Sequence, residues 1–141
     1  MLKRILVALD SSNLSAQVIT TVQQLQLPAD AEIVVAHVLD QSKSDLEVAS
    51  DRPPVSTEAI PKDSLEKLEA YQAALPTESS LEVVAGDPAE EIIRLANIHK
   101  TDLIVIGSRG LTGVDRILQR SVSSQVVEEA HCSVLVVRPI A

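Results

Sequence analysis

Five short aliphatic runs, at 5–9, 31–39, 81–85, 102–106 and 134–137, constrain the chain more than any other feature. Each is nearly continuous rather than alternating, as expected of strands buried on both faces. Between them lie segments with helical periodicity, so the order is β-α-β-loop-α-β-α-β-α-β. That alternation predicts an α/β fold: a parallel sheet with helices on both faces and right-handed crossovers. The 141 residues suffice for one domain over 1–141, burying about two-thirds of the unfolded surface. There is no Phe or Trp and only one Tyr, Tyr71, so the core must be packed from Val, Ile, Leu and Ala. Branched aliphatics of this kind favour the sheet.

Local signals give the boundaries. Ser11, Ser12 and Asn13 can cap a first helix over 13–26, where Leu14, Val18, Val22 and Leu25 recur before Leu27-Pro28 ends it. A helix over 58–75 places Leu65, Leu68 and Leu75 on one face and is closed by Pro76. Gly86 ends the third strand. Asp87 then stands at a helix cap, with Pro88 at the first helical position and Glu90 three residues beyond the cap. Ile92, Leu95, Ala96 and His99 continue that period, and His99 with Lys100 suits the negative end of the helix dipole rather than catalysis. The last helix, over 121–130, turns Val122, Val126 and Ala130 inward, and Arg138-Pro139 ends the fifth strand. Residues 40–57 are polar, proline-bearing and aperiodic. They predict a mobile loop, either unstructured or a lid over whatever binds at the strand ends.

Charge and composition narrow the function. A net charge of −8 repels polyanions, and the near absence of aromatic rings removes the stacking platforms of single-strand binders, so nucleic acid is not the expected partner. Met1 leads into an apolar run interrupted at Asp10, too short for a signal peptide or membrane span; the expectation is a cytoplasmic protein without a membrane partner. Cys132 is the sole cysteine, read as a buried reduced thiol beside the last strand. His37 lies inside the second strand with no second His, Cys or carboxylate placed to join it. It reads as a packed or hydrogen-bonded residue rather than a metal ligand.

One stretch carries chemistry. Gly107-Ser108-Arg109-Gly110 follows the fourth strand, and nine residues later Arg120-Ser121-Val122-Ser123-Ser124 opens the last helix. Glycines let backbone amides approach an anion, and a helix start adds unpaired N–H groups, so this order suits a phosphate cradle. Taken alone, the two glycines are better explained by a strand end and a loop. Arg109, Arg116 and Arg120 against Asp115 make the segment locally basic in an acidic chain. If the strand order is 3-2-1-4-5, the winding reverses between the first and fourth strands, and a ligand would bind there beyond their carboxyl ends. Asp10 would then face Gly107; taken alone it reads first as the cap of the first helix, a role compatible with accepting from a sugar hydroxyl.

Over nearly its whole length the sequence resembles the universal stress protein family. The resemblance rests on Ile5-Leu-Val-Ala-Leu-Asp10 with Ser12 and Ser15, Ala36-His37-Val38, Gly107-Ser-Arg-Gly-Leu-Thr-Gly113, and Ser133-Val-Leu-Val-Val-Arg-Pro139. It implies a single Rossmann-like domain of the adenine nucleotide alpha hydrolase type, with strand order 3-2-1-4-5. In many members that domain binds an adenine nucleotide and dimerises, often through the last strand. By this correspondence Ala8 and Val38 flank the adenine and Asp10 meets the ribose. Ile106, Gly107, Arg109 and Gly110 line the site, while Ser121 and Val122 hold the phosphates. The family's third glycine is Arg120 here, and the glycine after the first-strand aspartate is Ser11.

Arg120 has two opposed effects. At a position needing positive φ it costs ~1 kcal/mol or more and obstructs close approach of the phosphate. Its guanidinium, however, can pair with phosphate directly. The balance favours retained nucleotide binding: ATP, or ADP, AMP or a cyclic dinucleotide, with Mg²⁺ as companion ion and Asp10 as its one candidate holder. The expected role is a regulatory module of the stress response in which binding orders loop 40–57, alters a dimer surface and serves a regulatory protein partner. The alternative is a nucleotide-free dimeric scaffold of the same family. Enzymatic activity is at most slow ATP hydrolysis, because no P-loop lysine and no acid/base pair accompany the glycines, and no catalytic residue is assigned.

Overall fold

A computed structural model describes residues 3–9, 13–40, 62–108 and 122–138. Five strands, β1 (Arg4–Ala8), β2 (Glu32–Asp40), β3 (Ser79–Gly86), β4 (Leu103–Gly107) and β5 (Ser133–Val137), alternate with helices α1 (Asn13–Gln23), α2 (Lys62–Ala73), α3 (Pro88–Ile98) and α4 (Val122–Glu129). All pairings are parallel, and the order is β3-β2-β1-β4-β5. The expected α/β architecture and strand order are those observed.

Side-chain alternation along the strands separates two cores. Ile5, Val7, Leu9, Ile33, Val35, Leu103, Val105 and Val137 pack with Val18, Ile19 and Val22 of α1 and Leu68 of α2. The opposite face joins Leu6, Ala36, Ile104 and Ile106 to Ala89, Ile92, Leu95 and Ala96 of α3 and Val126 of α4. The three central strands are covered on both faces, which is why their sequences are continuously apolar. Each fully buried Val or Leu contributes about 1.5–3 kcal/mol, and the core draws on no ring larger than the half-buried Tyr71.

The boundaries differ from expectation in ways that hydrogen bonds explain. Helix α1 stops at Gln23 rather than 26, where Gln24 N–H and Leu25 N–H turn back to the carbonyls of Thr21 and Val22. The hydroxyls of Thr20 and Thr21 donate to Ala16 O and Gln17 O, a competition with the helix ladder that weakens its last turn. Helix α2 ends at Ala73, and residues 58–61, expected as its start, lie outside the described residues. Strand β3 begins at Ser79 rather than 81 because Ser79 and Ser80 stand in register with Ile33 and Val34. Asp102 is excluded from β4: its carboxylate accepts from Lys3 N–H and Arg4 N–H at 3.0 and 2.9 Å. Gly107, in exchange, joins β4 opposite Val137. Asp40 closes β2 rather than opening a loop, and the rest of the expected mobile segment 40–57 lies outside the described residues.

Helix α3 starts as its sequence demands. Asp87 is extended, and its Oδ2 accepts from Glu90 N–H at 3.0 Å, with Pro88 following. At the other end His99 N–H bonds Leu95 O, Thr101 N–H reaches Ala96 O, and Lys100 takes a left-handed φ of 54°. This is a Schellman-type stop with lysine where glycine is usual.

Candidate functional site

The carboxyl ends of β1, β2 and β4 lie side by side at the reversal in winding. Ala8 is in register with Ala36 on one side and Ile106 on the other, while Val38 stands two residues further along β2. Because the side-chain period is two, Ala8, Val38 and Ile106 all project onto the α3/α4 face, where Val122 of α4 joins them. Ile106 is buried and the other three are half-buried. The result is a small aliphatic floor at the rim of the sheet. Flat apolar surface of this kind can accept one face of a planar ring, and the start of α4 brings helix N–H groups to its edge.

The backbone at this rim is tied down. Ser108 N–H donates to Val137 O at 2.7 Å, carrying the β4 exit one step past its strand. Leu9 N–H donates to Ala36 O at 2.9 Å, and His37 Nδ1 lies 3.0 Å from Leu9 O. A carbonyl only accepts, so the proton sits on Nδ1. His37 is thus both buried and hydrogen-bonded, as its isolation in the sequence suggests. Its partner could not be read from sequence, because it lies 28 residues away and depends on the β1/β2 register. At the end of β3, Gly86 has φ +145°, opposite Asp40; a Cβ there would stand 3.2 Å from Glu91 Cγ.

Of the sequence-predicted residues, the structure thus brings together Ala8, Val38, Ile106, Gly107 and Val122. Asp10, Arg109, Gly110, Arg120 and Ser121 lie outside the described residues. His99 stands apart from this rim, at the C-terminal end of α3, with Nε2 at 3.4 Å from Glu82 Oε2. Cys132 precedes β5 and is half-buried rather than enclosed. Burial, and secondarily the charge of Asp102, pushes its thiol pKa up. Among the described residues no group of three or more His, Cys, Asp or Glu side chains could hold a metal ion, and no helix is long and apolar enough to cross a membrane.

Comparison with known proteins extends this picture. A model of the universal stress protein family matches residues 1–138. The chain is 32% identical over 139 residues to universal stress protein MJ0531 of Methanocaldococcus jannaschii, covering 96% of this chain and 82% of that one. It is 34% identical over 143 residues to a universal stress protein of Thermus aquaticus, from the 3′ region of a QAH/OAS sulfhydrylase, covering 98% and 100%. Among solved structures, that of protein MJ0577 of Methanocaldococcus jannaschii superposes with a TM-score of 0.77 at 25% identity, over 100% of this chain and 99% of that one. A universal stress protein crystallised in complex with cAMP superposes with a TM-score of 0.68 at 23% identity, over 97% of each chain.

Proposed function

The chain belongs to the universal stress protein family, and from that premise we propose that it is an adenine-nucleotide-binding regulatory module of the stress response. The observation that carries the proposal is the convergence of Ala8, Val38, Ile106 and Val122 on one sheet face beside Gly107. In this reading the aliphatic floor takes the adenine, between Ala8 and Val38. Asp10 accepts from ribose hydroxyls and is the candidate holder of an accompanying Mg²⁺. The phosphates lie over Gly107, Arg109 and Gly110 towards Arg120, Ser121 and the start of α4. The cAMP complex of a protein with this fold supports an adenine ligand, and the arginines of this segment supply the charge that an acidic chain otherwise lacks. ATP is the first candidate, with ADP, AMP and cyclic dinucleotides as the alternatives that Arg120 favours.

The module is a single domain over 1–141, working by binding rather than turnover, with ATP hydrolysis slow at most. Its location is the cytoplasm. Dimerisation through β5 belongs to the same reading: among the described residues β5 is an edge strand, with Val134, Leu135 and Val136 only partly buried, and an apolar edge favours a partner strand. Nucleotide binding would act on that dimer surface and on a regulatory protein that reads it. The β5 edge equally favours a second reading, a dimeric scaffold of the same family that holds no nucleotide. The two separate on protein purified without added ligand. Mass spectrometry of the supernatant after denaturation should release an adenine nucleotide in a fixed ratio to chain. A nucleotide-free supernatant, together with refolded protein that takes up none, selects the scaffold.

A further inference from the structure

Leu9 is the last residue described before Asp10, and both of its backbone polar groups are held by β2. Its N–H donates to Ala36 O, and its carbonyl accepts from the imidazole of His37. His37 is only 7% exposed, and Leu9 is 3% exposed. By strand alternation His37 projects onto the α1/α2 side of the sheet, whereas its neighbour Val38 projects onto the α3/α4 side with Ala8. A ligand resting on Ala8 and Val38 is therefore separated from the imidazole by the sheet itself.

We propose that His37 is a positioning residue for adenine binding: its Nδ1–H clamps the Leu9 carbonyl and so fixes the spacing of Ala8 and Val38 at the open end of the β1/β2 pair. The inference rests on the nucleotide reading given above. It adds a residue that acts from the opposite face of the sheet without touching the ligand. The mechanism is one of preorganisation. Strand β1 ends at Ala8, and beyond it, among the described residues, the Leu9–Ala36 bond and the His37 clamp hold the β1/β2 spacing. Without the clamp a buried carbonyl loses its partner, and the chain must shift to hydrate it. That shift moves the side chains on which the base would rest, and a floor spaced before binding is affinity gained at binding.

The test compares four proteins by calorimetric titration with ATP and AMP, each confirmed as folded by circular dichroism at the titration temperature. His37→Leu removes the donor and keeps an apolar side chain; His37→Asn keeps an N–H donor at the place of Nδ1. Val22→Ala, in the same core and remote from the rim, matches the loss of stability. Losing one buried hydrogen bond at the rim is expected to weaken binding by about tenfold in His37→Leu. His37→Asn should recover most of that affinity, and Val22→Ala should leave it unchanged. Wild-type affinity in His37→Leu overturns the positioning role alone, as does an equal loss in Val22→Ala or a failure of His37→Asn to recover binding. Absence of binding by the natural protein overturns the nucleotide reading, and this proposal with it.

Discussion

Asp102 Oδ2 accepts the backbone N–H of Arg4 at 2.9 Å while Asp102 N–H donates to Arg4 O at 2.7 Å, so one residue closes a ring at the foot of β1 and β4. The same oxygen also takes Lys3 N–H. These bonds favour the ionised carboxylate and hold its pKa below the ordinary aspartate value, with the N–H of Arg4 the largest cause and that of Lys3 next. A depressed folded-state pKa contributes stability above the unfolded pKa, and that contribution disappears as pH falls through the folded value. Asp102→Asn should therefore be less stable than the natural protein at pH 7, and the difference should shrink as urea unfolding is repeated towards pH 3. A difference independent of pH would assign the effect to packing.

At the end of α3, Lys100 holds a left-handed conformation that glycine adopts without strain. Relief of about 1–2 kcal/mol of steric cost, less about 0.4–1 kcal/mol for the freer unfolded chain, predicts that Lys100→Gly gains roughly 0.5–1 kcal/mol. Thermal unfolding should show a higher midpoint. A lower one would mean that the lysine side chain contributes something beyond its backbone shape.

The raised pKa of Cys132 predicts a sluggish thiol. Only the thiolate attacks a disulfide reagent, so reaction with Ellman's reagent at pH 7 should be slower than that of an unfolded control. The rate should climb at a higher pH than for a free cysteine. Equal rates in folded and unfolded protein would contradict the burial argument.

What was legible in the sequence follows from how far each feature depends on neighbours along the chain. Ile5, Val7 and Val105 announce buried strands because each run is apolar on both sides, and Asp87-Pro88 announces a helix start because capping acts over three residues. Strand ends were less legible. Ser79 and Ser80 are polar yet paired, since an edge strand is judged by its register with β2 rather than by its own hydrophobicity. Asp102 and Gly107 exchanged places for a similar reason: the first bonds the start of β1 and the second pairs with β5. Nothing local marks Lys100 as left-handed, because the glycine that would signal it is absent. Within the site, the common face of Ala8, Val38 and Ile106 follows from a period of two once the strand order is known. The His37–Leu9 bond needs the register as well. The glycine motif points to Arg109, Gly110, Arg120 and Ser121, which lie outside the described residues, and its altered third position leaves the choice of ligand to chemistry beyond spacing.

The proposed binding of an adenine nucleotide at the carboxyl ends of β1, β2 and β4 is open to isothermal titration of the natural protein and of Asp10→Ala with ATP, ADP, AMP and a cyclic dinucleotide, with and without Mg²⁺. One site per chain is expected for at least one of these ligands, with a Kd below about 1 mM, weakened about tenfold or more in Asp10→Ala through loss of a charge-assisted ribose contact. The absence of heat from every ligand at millimolar concentration, or equal binding by Asp10→Ala, would contradict it.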